Sequence, residues 1–310
     1  MRLLFGFFKL VRLPNLVFIA LTQFLFNFCI FHQLYSSAYF YFADTSFYYL
    51  TAASVLIAAG GYVINDYFDV NIDEINKPQK MVVDKLISRR WAIAWHFILS
   101  AAGLVFTYLA LDMPRQWYLL IFNLASVVLL WLYSTNFKKS FLVGNLIISF
   151  LVAWTIGVVF FSKMYPVNAL QLASNAQARF FRFMILYAAF AFLVTFIREL
   201  IKDVEDMPGD SKFDSRTFPI VFGVSVSRLF ISFQLVLLIL LLIVVEIYVL
   251  QFGWWLMVIY SFVFILIPST SILFKIKKAN ATEDFRLLSS KMKWIMLAGI
   301  LSMLFFVIYI

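Results

Sequence analysis

Two clusters of carboxylates carry the chemistry open to this sequence. The first reads Asn65-Asp66-Tyr67-Phe68-Asp69-Val70-Asn71-Ile72-Asp73, and the second Arg198-Glu199-Leu200-Ile201-Lys202-Asp203-Val204-Glu205-Asp206-Met207-Pro208-Gly209-Asp210. Each continues an apolar run with no break, which predicts that both lie on the ends of helices. Helical spacing then puts Asp66, Asp69 and Asp73 on one face, with Asn65 one turn before Asp69, and does the same for Glu199, Asp203 and Asp206. Pro208 and Gly209 predict the end of the second helix, with Asp210 beyond it. Like charges stacked on a helix face repel one another. A solvated helix end with chance acids fits poorly, because these acids abut apolar spans directly. A hard divalent cation fits better, and Mg2+ is commonly held by one or two carboxylates together with substrate phosphates. The candidate metal ligands are therefore Asn65, Asp66, Asp69 and Asp73 on one side, and Glu199, Asp203, Asp206 and Asp210 on the other. Cys29 is the only cysteine, and His32 and His96 are the only histidines. That leaves zinc, haem and iron–sulfur chemistry without ligands.

Two acid clusters alone would repel a diphosphate, and bridging divalent ions would let both hold it. Asp66, Asp69, Asp203 and Asp206 are the candidate catalytic acids. Lys77, Lys80, Arg198 and Lys202 lie closest in sequence to the acid faces and are candidate diphosphate ligands. Arg198 and Lys202 read equally well as partners of acids on their own helix.

Elements that position these groups follow from composition. The chain has 310 residues, 64% hydrophobic and only 13% charged, about half the charge of a soluble domain. Apolar runs of membrane-spanning length predict helices at approximately 15–33, 47–65, 91–111, 116–134, 143–163, 180–198, 225–250, 253–274 and 292–309. The expected fold is all-α: one membrane-embedded domain over 1–310, a polytopic bundle of about nine transmembrane helices. No cleavable signal is expected, since Arg12, Pro14 and Asn15 precede the first run. With nine spans, 21 of the 25 Lys and Arg fall on the N-terminal side. The positive-inside rule makes that side cytoplasmic, so the active site faces the cytoplasm of the cell (inner) membrane. The net charge of +9 then belongs to topology and anionic membrane lipids, and no nucleic acid partner is expected.

Asn-Asp-x-x-Asp-x-x-x-Asp after the second span, with a second acidic motif after the sixth, resembles the UbiA-type intramembrane prenyltransferases. Ile75-Asn76-Lys77-Pro78, Leu132-Tyr133-Ser134 with Lys138, Gly144-Asn145, and Arg216-Thr217-x-Pro219-Ile220 leading to Gly223 extend the likeness over almost the whole chain. Lys80, Met81 and Glu199 depart from the usual residues. Lys80 keeps a charge but loses the bidentate geometry of arginine. The resemblance implies helices around a central cavity open to lipid, and adds Asn65, Tyr133 and Lys138 to the substrate-binding candidates.

It also implies the reaction. A prenyl group passes from an isoprenoid diphosphate donor to a lipophilic acceptor, and diphosphate leaves with Mg2+ as cofactor. Aromatic faces could stabilise an allylic cation, with Tyr67, Tyr133 and Tyr187 as candidates. The second motif most resembles the digeranylgeranylglyceryl phosphate synthase branch, which suggests a geranylgeranylglyceryl phosphate-type acceptor. An aromatic acceptor, as in quinone or haem biosynthesis, is the alternative. The Gly-Ala-Arg arrangement of CDP-alcohol phosphotransferases is missing. A cation-coupled transporter would be expected to carry its acids near the bilayer midplane rather than at helix ends.

Overall fold

A computed structural model describes residues 2–35, 45–79, 81–113, 115–169 and 174–310. Lys80 lies outside the described residues. Nine described helices are long and apolar enough to cross a membrane, and this is an integral multi-pass membrane protein. A short helix, α1 (Arg2–Leu10), leads into α2 (Leu13–Leu34). Then follow α3 (Thr45–Phe68), the short α4 (Val70–Asn76), α5 (Arg89–Ala110) and α6 (Trp117–Thr135). The second half comprises α7 (Val143–Ala169), α8 (Ser174–Asp210), α9 (Phe218–Leu250), α10 (Trp255–Ile276) and α11 (Thr282–Tyr309). No strand occurs among the described residues.

Lipid gives backbone groups no hydrogen-bond partners, so helices satisfy them internally and associate by close packing and interhelical polar contacts. Helices α3 and α5 do both. A Cβ on Gly103 would come within 2.7 Å of Ile57 Cγ1. On the same seam, His96 Nδ1 lies 2.9 Å from the carbonyl of Gly60. Deeper in the bundle, Gln23 Nε2 donates to Ser54 Oγ and to the carbonyl of Thr155, both at 2.9 Å, joining α2, α3 and α7. Asn123 Nδ2 donates to Thr107 Oγ1, and Asn123 Oδ1 accepts from Trp154 Nε1. Outward faces are apolar: Leu229, Phe233, Val244 and Ile247 on α9 are all exposed. Such a surface is stable only against acyl chains.

Two helix ends differ from the sequence expectation. Helix α8 runs through Pro208 and Gly209 to Asp210. Helix α9 begins at Phe218 but is broken at Gly223, whose φ of 78° suits glycine alone. That break explains why apolar periodicity places the span from residue 225.

Candidate active site

A cavity of about 670 Å³ opens between α2, α3, α6, α7, α8 and α11. Its two ends differ in chemistry. Asp66, Asp69, Asp73, Glu199, Glu205 and Asp206 line one end, together with Arg12, Lys77, Lys138, Arg198, Lys202, Arg286 and Lys293. Ile57, Leu151, Trp154, Tyr187, Phe190 and Met303 line the rest. Tyr187 precedes Glu199 by three turns of α8, about 18 Å of helix, so the apolar depth accommodates a chain whose head sits among the charges.

The first acidic segment arrives almost as its spacing predicts. Helix α3 is interrupted at Asp69 (φ −86°, ψ −3°), which starts α4. Backbone hydrogen bonds nonetheless run Asp69 N to Asn65 O, Asp73 N to Asp69 O and Lys77 N to Asp73 O. One-turn spacing therefore survives the interruption, and Asn65, Asp66, Asp69, Asp73 and Lys77 all line the cavity.

Helix α8 presents Glu199 and Asp206 of the expected face to the cavity. Thr195, Arg198, Glu199, Lys202, Glu205 and Asp206 line the cavity, whereas Asp203 and Asp210 do not. Asn145 of α7 accounts for Asp203: its Nδ2 donates to Asp203 Oδ2 at 2.8 Å and draws that acid to the α7 side. Asp203 and Asp210 remain within electrostatic reach of the lining groups, Asp203 of Glu199 and Lys202, and Asp210 of Asp69, Asp206, Lys77 and Lys138. Glu205 takes the lining position, held by Arg286 Nε at 3.1 Å.

Asn76 explains why Pro208 fails to end α8. Its Nδ2 donates to the carbonyl of Asp206 at 2.9 Å, and its Oδ1 accepts from the N–H of Gly209 at 2.8 Å. A side chain from the first segment thus replaces backbone bonds that a proline disturbs. The approach is so close that a Cβ on Gly209 would come within 2.5 Å of Asn76. Lys77 adds an ion pair to Asp206 at 2.6 Å, and the two acidic segments are fastened together.

Most cavity acids have a cation of their own. Arg12 Nη2 lies 2.7 Å from Asp66 Oδ1, Lys138 pairs with Asp69, and Glu199 takes Arg198 and, at 3.5 Å, Lys202. Burial opposes the charge of Lys138, but Asp69, Tyr133 and Asp73 together outweigh it and hold the ammonium above its ordinary pKa. Asp73 has no ion-pair partner among the described residues. Its carboxyl is lifted above the usual range by burial, with Asp69 adding to the effect. Arg12 adopts left-handed backbone (φ 53°, ψ 54°), a conformation rare outside glycine. Its pair with Asp66 and its place 5.1 Å over the Tyr62 ring hold it there.

Among the described residues, no three acids converge into a ready-made metal cage. The donor set nevertheless fits Mg2+, which takes hard oxygen ligands and needs few from protein when phosphates and water supply the rest. Asn65 supports that fit. Its Nδ2 donates to Asp69 Oδ2 at 2.6 Å, while its buried Oδ1 has no hydrogen-bond donor among the described residues. Of the tyrosine candidates, Tyr133 and Tyr187 line the cavity and Tyr67 does not. Sequence reasoning missed Asn76, Gly209, Arg286 and Lys293 as site residues. Two of them carried a usable signal: Asn76 in the Ile75-Asn76-Lys77-Pro78 stretch, and Lys293 as a charge at the edge of the last apolar run.

Residues 13–307 match the UbiA prenyltransferase family. The chain belongs to that family. A digeranylgeranylglyceryl phosphate synthase of Methanobrevibacter smithii is 32% identical over 171 residues, which cover 55% of this chain and 56% of the relative's length. A solved structure of a digeranylgeranylglyceryl phosphate synthase is 25% identical over 98% of this chain and 99% of its own, with a TM-score of 0.58. A UbiA homologue from Archaeoglobus fulgidus, solved with DMAPP and Mg2+, is 14% identical over 96% of this chain and 99% of its own, also at 0.58. The last shares the fold, and its ligands are its own.

Proposed function

We propose that this UbiA-family protein transfers a prenyl group from an isoprenoid diphosphate to the hydroxyl of a lipophilic acceptor. The carrying observation is a single cavity with a carboxylate-and-ammonium head and an apolar depth. Relatives named digeranylgeranylglyceryl phosphate synthase favour a glyceryl phosphate ether lipid over an aromatic acceptor. The allylic C–O bond breaks with its electron pair left on diphosphate, the acceptor oxygen bonds to the allylic carbon, and the hydroxyl proton is released.

Asn65, Asp66, Asp69 and Asp73 would hold Mg2+ from one side, and Asp206 with Glu199 from the other. When bound, the metal would offset negative charge on the leaving diphosphate. Lys77 and Lys138 stand beside Asp206 and Asp69, where they neutralise the same oxygens as negative charge grows. Asp203 works through Asn145, which it fixes against α8. Lys80 stays a candidate diphosphate ligand from its place in sequence. Ile57, Leu151 and Phe190 exclude water from the allylic end, and Tyr133 and Tyr187 offer aromatic faces to a cation. The charged end faces the cytoplasm on the basic skew of the loops.

Diphosphate release by purified protein, given a prenyl diphosphate series and both acceptor classes, tests this reading. Release and a prenylated product that require a divalent cation are expected. Uptake of substrate without any diphosphate release would instead indicate transport.

A further inference from the structure

A second cavity, of about 340 Å³, lies between the end of α10 and the start of α11. It shares no lining residue with the active-site cavity. Three lysines line it: Lys275 in the last turn of α10, Lys278 just beyond it, and Lys291 on α11. Asp284, Leu287 and Lys291 lie at i, i+3 and i+7, one face of α11. Arg286, Ser289 and Lys293 line the active-site cavity instead, so α11 offers a different face to each cavity.

The charges of this groove are unbalanced. Side-chain nitrogens of Lys275 and Lys291 come within hydrogen-bond reach of each other, and two ammonium groups at that separation repel. None of the three lysines has an ion pair among the described residues. Asp284 is occupied elsewhere. Its Oδ2 accepts from the backbone N–H groups of Asn280 and Ala281, both at 3.0 Å, which caps α11. Three cations thus face one committed carboxylate, and an anion set between Lys275 and Lys291 would turn their repulsion into attraction. The groove is also built in advance. Arg228 of α9 donates through Nη1 to the carbonyl of Ala279 at 3.0 Å and to Asn280 Oδ1 at 2.9 Å. A turn fixed in this way lowers the ordering cost of binding.

The surroundings decide what kind of anion fits. Phe274, Leu287 and Trp294 beside the lysines are all exposed. Tryptophan and lysine at the end of an apolar span mark the level of lipid headgroups. Arg286, next to Leu287, reaches Glu205 of α8, so the groove opens at the same end of the bundle as the acidic segments. Loop charge makes that end cytoplasmic, and basic pockets between helices on that side suit anionic headgroups.

We infer that Lys275, Lys278 and Lys291 form a binding site for the phosphate headgroup of an anionic membrane lipid, with its acyl chains against Phe274, Leu287 and Trp294. The site stands apart from the central cavity and does not depend on the reaction performed there.

The test uses the full chain in nanodiscs of equal parts neutral phosphatidylcholine and anionic phosphatidylglycerol. Native mass spectrometry then counts the lipid retained after release into detergent. The wild type should favour phosphatidylglycerol by about 10-fold or more. Lys275→Gln and Lys291→Gln should each weaken that preference about 5-fold, and Lys291→Arg should keep it. Lys212→Gln removes an exposed lysine just beyond α8 and should change nothing. Equal retention of both lipids by the wild type overturns the site and needs no variant. A loss in Lys212→Gln as large as in Lys291→Gln would show diffuse surface charge and overturns it too. Displacement of the retained lipid by excess inorganic phosphate would make the groove a site for free anions and end the lipid assignment.

Discussion

Asp69 and Asp206 approach the cavity from opposite segments, each beside a lysine ammonium. If, as proposed, each segment holds metal that neutralises a leaving diphosphate, the two acids act as a unit. Asp69→Asn and Asp206→Asn should each lower kcat on the order of 10²–10³-fold, and the double variant should be little worse than either single. Glu246→Gln is the control, because Glu246 lies far along α9 and does not line the cavity. It should turn over normally in the same steady-state assay. Additive losses in the double variant would sink the unit. Asp203 offers a contrast. Its bond to Asn145 makes Asn145→Ala and Asp203→Ala alike in effect, and Asn145→Ala should reproduce most of the Asp203→Ala loss in kcat.

Helices α4 and α8 meet through one asparagine. Asn76→Ala would leave the N–H of Gly209 and the carbonyl of Asp206 without their present partner, costing about 1–3 kcal/mol. Gly209→Ala would drive a methyl into Asn76, with a similar cost of about 1–3 kcal/mol. Removing Asn76 makes room for that methyl, so the two losses should fall well short of adding in thermal unfolding. Full additivity would mean the contact does not carry the joint. This joint also marks where sequence reading stops. The first acid face was legible because a regular one-turn spacing survives the interruption at Asp69. The second was legible for Glu199 and Asp206, which line the cavity, but not for the partner of Asp203, Asn145, 58 residues away. The helix end at Pro208 was misplaced because its repair comes from a side chain 133 residues from Gly209. Local spacing holds no record of such partners.

Across the whole molecule, the nine apolar spans were legible because lipid demands length and hydropathy and little else. Orientation follows from loop charge and is tested by labelling. In a Cys29→Ser background, Asn175→Cys should react with an impermeant thiol reagent from outside and Ser211→Cys should not. Both side chains are exposed at opposite ends of α8. Reaction of both positions from one side would overturn the topology.

Ion pairing within the cavity has a consequence for biogenesis. Five of its six lining acids already hold a lysine or arginine, so the bare head group region is close to electrically self-sufficient. Zinc fingers lack that provision and unfold without their ion. Chelating divalent cations should therefore silence this protein while leaving the melting temperature of the donor-free form where it was. A large drop in melting temperature on chelation would show that the pairs do not suffice. If they do, the nascent chain can insert and fold to completion in a magnesium-starved cell and wait there, intact, for its first metal and its first substrate.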